Sequence, residues 1–334
     1  MSTPTHADNG ANAGDSGSDA PQALPENPTG GGHRGRNIGI LVLVLAIIAG
    51  AIIFFTTRGG DDDADNTTVV IGVTDESWPY WAKLKELAAD ENITVETKNF
   101  ASYTEVNPAL RQKQLDLNQF QHLLYLANYN VENNDDLVPL AGSMIVPLCL
   151  YSQKYDSLDQ IPDGANIAIP NDPTNQARAL LVLQSAGLIS LTNGGSALST
   201  PAEIDAANSK ATVTPVDAAQ TAASLASVDA SIVNNSFAAD ANLDPSKALF
   251  KDDPNSTAAE PYINIFAVRR ADLDNPAYKR VAELYHEKAV ADLVVEGSNG
   301  TAVMPLATRP TMNPTMIMLM MPMSLLQKMS ILIA

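Results

Sequence analysis

At 334 residues, 45% apolar but only 5% aromatic and with a formal charge of −18, the chain is longer than one core usually serves, and two lobes are expected. The acidity excludes nucleic acid as a partner, because phosphate recognition needs clustered Lys and Arg. The single cysteine, Cys149, lies between Leu148 and Leu150, so no intrachain disulfide forms and the thiol reads as buried and inert.

Residues 1–36 are rich in Gly, Ala, Asn, Asp, Pro and Thr. Such a segment cannot bury enough surface to offset its ordering entropy, and it reads as a disordered cytoplasmic segment. Residues 38–55 carry no charge; a helix of that length reaches roughly 27 Å and can span a membrane. Arg34 and Arg36 precede the run, while Asp61, Asp62, Asp63 and Asp65 follow it, which places the N-terminus in the cytoplasm. A cleaved signal peptide is the competing reading. The run exceeds a signal core and no small-x-small site follows Phe54-Phe55-Thr56-Thr57-Arg58, which favours a retained transmembrane signal anchor over 37–57 and an acidic linker over 58–67.

From Thr68 onward the signals alternate as in an α/β domain. Strands are expected at 69–73 and 93–100, with a helix over 78–89 carrying Pro79 in its first turn. Asn107-Pro108 reads as a helix start, Asn as the cap and Pro at the first helical position. In the stretch that follows, read as extended chain, Leu115 and Leu117 point one way and Asp116, Asn118, Phe120 and His122 the other. A face mixing carboxylate, amide, aromatic and imidazole groups suits a small, partly polar ligand; an edge segment facing water is the alternative. Pro139 and Pro147 within the apolar run 137–151 argue for an edge strand or a crossover. Further strands are expected at 165–169, 212–216, 229–234 and 262–269, and helices at 175–186, 218–226 and 278–294. Eight of the ten methionines fall from Met304 onward. The tail 304–334 reads as frameshifted or otherwise non-native, with a second membrane-associated segment and a copper-binding thioether cluster as alternatives.

The pattern Asp116-x-Asn118-x-Phe120-Gln121-His122-x-x-Tyr125-Leu126, with Pro170-Asn171-Asp172-Pro173-Thr174-Asn175-x-x-Arg178 downstream, resembles the methionine-binding lipoprotein family. Its members are the extracytoplasmic substrate-binding components of methionine importers of the ABC class. The likeness runs from about Val69 to about Val303. It implies a two-lobed α/β fold of the periplasmic-binding-protein type II kind, with the ligand cleft between the lobes, 68–151 and 236–303 forming lobe 1 and 152–235 forming lobe 2. It also implies methionine as ligand and an ABC permease with its ATPase as partners. Two departures stand out. No cysteine is present to carry the family's lipid, so 38–55 is expected to tether the protein at the plasma membrane, and Val106-Asn107-Pro108 places Pro after Asn where the family more often has it before.

A free amino acid presents a carboxylate, an ammonium group and a side chain, so its pocket needs a guanidinium or helix N-terminus, acceptor oxygens and apolar walls. Arg178, expected in the first turn of a helix where the dipole disfavours a cation unless an anion joins it, is the candidate carboxylate partner. Asn234 is placed by the resemblance at the ammonium group, with Asn235 as its rival, and Asn264 is a second candidate amide. The thioether is expected against Phe120, Tyr103, Trp78 or Tyr125, with His122 donating to the carboxylate and Asn118 on the same face. There is no Gly-x-Ser-x-Gly elbow, phosphate loop or His and Cys cluster, and the histidines at 6, 33, 122 and 286 are scattered, so no enzyme activity, cofactor or metal is expected. The expected function is binding of L- or D-methionine. Alternatives are another small apolar amino acid, a methionyl dipeptide, or a surface interaction protein without a transport role.

Overall fold

In the computed structural model, which describes residues 66–305, the chain builds one sheet, crosses to a second, and returns. It first lays down β1 (Thr67–Val73), α1 (Pro79–Ala89), β2 (Ile93–Asn99), α2 (Tyr103–Arg111), β3 (Leu117–His122), α3 (Leu123–Asn133) and β4 (Val138–Gly142). After the crossing come β5 (Cys149–Tyr151), β6 (Ala165–Pro170), α4 (Pro173–Ser185), β7 (Ala211–Val216), α5 (Thr221–Ser224), β8 (Ala230–Val233), α6 (Asn235–Asp240) and β9 (Phe250–Lys251). The return adds β10 (Asn264–Val268), α7 (Pro276–Tyr285) and α8 (Lys288–Gly297). The strand orders are β2-β1-β3-β10-β4 and β7-β6-β8-β5-β9.

Helices cover both faces of the first sheet. Val69, Ile71 and Val73 of β1 pack with Trp81, Leu84, Val281 and Val290 on one side, and Val106, Leu110, Leu123 and Leu126 cover Ile265 and Ala267 on the other. A strand buried on both faces reads as an apolar run, which is what Val69-Val70-Ile71-Gly72-Val73 is.

The structure moves three expected boundaries. β5 and β9 pair within the second sheet, and Phe237 and Ala238 of α6 pack with Cys149, Tyr151 and Val233. The chain therefore changes sheets between β4 and β5 and again between β9 and β10, not at 151/152 and 235/236; the short apolar β5 is buried in either sheet, so burial alone gave no sign of the switch. The helix expected to begin at Asn107-Pro108 begins earlier: Ser102 accepts from Thr104 N–H at its N-cap, and Pro108 lies inside α2. Asn107 is fully committed to buried side-chain amides instead of capping. The anchor expected over 37–57 and the tail from 306 lie outside the described residues; among those described, no helix is long and apolar enough to cross a membrane.

α2 crosses β1 over Gly72, where an added Cβ would collide with Leu115 Cδ1 and meet Val106 Cγ1 at 3.0 Å. Overpacking of this kind costs about 1–3 kcal/mol. Gly72→Ala is expected to lower the unfolding free energy by that amount, read as a lower urea midpoint at unchanged slope, and an unchanged midpoint would show that α2 can move away.

Candidate functional site

β3 supplies the first wall of the cleft, and an irregularity in its pairing decides what it presents. Against β10, Gln121 pairs with Ile265 and Gln119 with Phe266, so Phe120 is the extra residue of a bulge. A bulge re-aims side chains. Phe120 and His122 line the cleft, whereas Asn118 does not follow the simple alternation. It joins Asn107 and Gln121 in a buried amide cluster: Asn118 Nδ2 donates to Asn107 Oδ1 at 2.9 Å, Gln121 Nε2 donates to Asn107 Oδ1 at 2.7 Å and to Asn118 Oδ1 at 2.9 Å, and Asn107 Nδ2 donates to Gln121 Oε1 at 2.8 Å. The cluster satisfies its own groups and fixes α2 against β3. Asp116 is structural as well, accepting from Val70 N–H and Tyr278 O–H, each at 2.9 Å.

Aromatic rings form the apolar wall. Tyr103 of α2 lies 5.7 Å from Phe120 and 6.2 Å from Tyr125, with Phe120 and Tyr125 5.7 Å apart. Tyr103 also reaches the second sheet, its ring 4.8 Å from Phe237 and its hydroxyl 3.0 Å from Ser236 Oγ. Burial pushes the phenol groups of Tyr103 and Tyr125 up, so both stay protonated.

The second sheet contributes α4 and the end of β8. Asp172 caps α4, accepting from Asn175 N–H at 3.0 Å. Asn234 occupies the N-cap of α6 yet makes no capping bond; its Nδ2 donates to Asn175 Oδ1 at 2.9 Å, leaving Oδ1 buried without a partner among the described residues. Arg178 sits in the second turn of α4, not the first, and it already has an anion. Its Nε donates to Asp252 Oδ2 at 2.8 Å and its Nη2 to Asp252 Oδ1 at 3.2 Å and Val146 O at 3.0 Å. The guanidinium carbon lies 4.3 Å from the Tyr262 ring centroid.

His122 completes the polar set. Its Nδ1 accepts from Tyr125 N–H at 3.0 Å, which fixes the neutral tautomer carrying hydrogen on Nε2. That Nε2 is buried without a partner among the described residues, as is Gln119 Oε1. Burial, with the Arg178 charge adding to it, holds the imidazole down at about 3, so it is a neutral donor. One cleft thus joins a guanidinium, an unmatched N–H donor, two unmatched amide oxygens and three aromatic rings, a set that can hold a small zwitterion with an apolar tail.

Of the residues expected from sequence, the structure brings Arg178, Asn234, Phe120, His122, Tyr103, Tyr125 and Asn264 to one cleft, and the rival Asn235 lines it too. Asn118 and Trp78 do not reach it. Trp78, at the N-cap of α1, is buried in the first core, 5.7 Å from the Tyr80 ring and against Gly297. Asp75, Gln119, Gln121, Met144, Asn175 and Ser236 also line the cleft and escaped sequence reasoning. Gln121 and Asn175 stood in plain view in the two motifs that carry the resemblance; the others carry no local signal of their own.

A model of the NlpA lipoprotein family matches residues 69–307. The D-methionine-binding lipoprotein MetQ of Yersinia pestis is 32% identical over 240 residues, spanning 70% of this chain and 87% of that protein. Its probable counterpart in Vibrio cholerae is 34% identical over 238 residues, with the same coverage. Among solved structures, the substrate-binding protein of a methionine transporter from Streptococcus pneumoniae is 38% identical with a TM-score of 0.66, covering 71% of this chain and 95% of that one. A nutrient-binding protein from Burkholderia cenocepacia, bound to methionine, is 32% identical with a TM-score of 0.66 and covers 71% of this chain and 100% of that one.

The tautomer and charge of His122 can be checked directly. In nitrogen-resolved NMR its ring is expected to stay neutral, with hydrogen on Nε2, from pH 8 down past 5. Because the unfolded imidazole takes a proton near 6.5 and the folded one only near 3, its contribution to stability is complete above 6.5 and lost as pH falls towards 3. Titration of the native ring near 6.5 would place it in solvent instead.

Proposed function

The chain belongs to the NlpA lipoprotein family, and on that premise we propose that its cleft binds free methionine, L or D, outside the cytoplasm and delivers it to an ABC permease driven by its ATPase. The observation that carries this reading is the pairing of unmatched atoms in the aromatic cleft, a donor at His122 Nε2 and an acceptor at Asn234 Oδ1. The ligand carboxylate accepts from His122 Nε2–H and from the side of Arg178 not used by Asp252. The ammonium group donates to Asn234 Oδ1, with the Asn264 amide nearby, and the thioether lies against Phe120, Tyr103 and Tyr125, where sulfur at a ring edge gains about 0.3–1.5 kcal/mol. The first-sheet and second-sheet walls come from different lobes, so closure dries the cleft and strengthens each of these bonds.

Tethering at the plasma membrane falls to the apolar run 38–55. The acidic linker after it leaves the ligand-binding body on the extracytoplasmic face. No step of this function requires catalysis.

Native mass spectrometry of residues 66–305 is expected to show a complex heavier by one methionine, and a methionyl dipeptide or another amino acid in its place would redirect the assignment. Arg178→Ala is expected to weaken methionine binding by about 2–5 kcal/mol, as when one partner of a desolvated charge contact is truncated. Unchanged affinity in calorimetry would remove Arg178 from the site.

A further inference from the structure

A buried carboxylate stands at the first-sheet side of the cleft with no cation to answer it. Asp75 follows β1 by two residues, is 6% exposed and lines the same cleft as Arg178 and Asn234. Tyr80 Oη donates to its Oδ2 at 2.5 Å and Trp81 Nε1 to its Oδ1 at 3.0 Å; both donors are neutral. Among the described residues no Lys, Arg or His pairs with it. The titratable groups around it are Tyr80 of α1, Tyr103 of α2, Tyr285 of α7 and Asp240 of α6, of which only Asp240 carries charge at neutral pH, and that charge has the same sign.

An ionised carboxylate taken out of water costs several kcal/mol unless a cation joins it. The fold spends that cost at the carboxyl end of β1, where open α/β sheets receive their ligands. β1 runs parallel to β3 with Gly72 beside Asn118, and just past its end Asp75 lines one cleft with Gln121 and His122. Arg178 and Asn234 approach from the other sheet. We propose that Asp75 binds the α-ammonium group of the ligand, together with Asn234 Oδ1, and thereby sets the preference for an amino acid over the corresponding carboxylic acid. The proposal rests on the cleft being an amino-acid site. Each charged end then touches both sheets, the carboxylate at His122 and Arg178 and the ammonium group at Asp75 and Asn234, so the ligand itself joins the two halves.

Calorimetry with methionine and with 4-(methylsulfanyl)butanoate, the same molecule without its amino group, tests this. Burial pushes the Asp75 carboxyl up to about 6, so the free protein loses its ionised form as pH falls from 7.5 to 5. Wild-type affinity for methionine is expected to fall roughly tenfold across that window, while affinity for the amino-free acid changes by less than about twofold. Asp75→Asn, which keeps an acceptor for Trp81, is expected to weaken methionine binding at pH 7.5 by about tenfold or more, to abolish the pH slope, and to leave the amino-free acid unaffected. Asp240→Asn is expected to keep the slope. Equal losses for the two ligands in Asp75→Asn, or equal pH slopes in the wild type, would overturn the proposal; the wild-type comparison decides the matter even where the variant does not fold. If the wild type binds a different amino acid and not methionine, the methionine assignment falls and the same comparison, run with that amino acid and its amino-free counterpart, still decides on Asp75. Binding of no amino acid overturns both.

Discussion

Leaving a hydrogen-bonding atom buried and unmatched costs a fold about 1–3 kcal/mol, and the cleft between the two sheets carries this cost at His122 Nε2, Asn234 Oδ1 and Gln119 Oε1 together. The neighbouring amides show that the chain can match such groups when nothing prevents it: Asn107, Asn118 and Gln121 close their bonds among themselves a few residues away. The unmatched atoms are also held, not loose. Tyr125 N–H fixes the His122 ring through Nδ1, and Asn175 fixes the Asn234 amide through Nδ2. Each side chain has one half anchored in the protein and the other half turned to the cleft, which is the preorganisation a tight ligand site needs.

Arg178 links this site to the segments that join the two sheets. Its Nη2 holds Val146 O on the first crossing, and its partner Asp252, on the second, accepts from Leu148 N–H at 2.8 Å. One side chain therefore ties both crossing segments to α4 and lies over Tyr262 as well. Hinge closure in two-lobed proteins is absorbed by a few connecting residues, and these two segments are the connections between the sheets. Tyr103, reaching from α2 to Ser236 and Phe237, supplies a direct contact between the two halves.

Much of the fold was legible locally. Val69 to Val73 is a doubly buried run, Pro79 sits at a helix start, and Pro139 and Pro147 mark an edge strand and a crossing; the helix read from Asn175 starts two residues earlier, at Pro173. What escaped was set by tertiary pairing. The bulge at Phe120 comes from β10, nearly 150 residues away along the chain, and it rephases the β3 face that alternation assigned to Asn118. Asn107 looked like a cap because Asn before Pro is a local signal, yet the buried amide cluster claimed it and Ser102 took the cap. Asp252 and Asp75 carry no motif; one owes its place to its pairing with Arg178 and the other to its burial in the cleft wall. The Arg178 case is instructive for a second reason: the local rule that this cation needs an anion was met by the protein's own Asp252, so the rule alone did not identify a ligand.

Where the two ends of a bound amino acid lie is read directly by a crystal structure of residues 66–305 grown with methionine. The carboxylate is expected within hydrogen-bond distance, about 2.7–3.2 Å, of His122 Nε2 and Arg178, with the ammonium group at that distance from Asn234 Oδ1. A cleft filled by core side chains, or His122 and Asn234 matched by other protein atoms while methionine is absent, would contradict it.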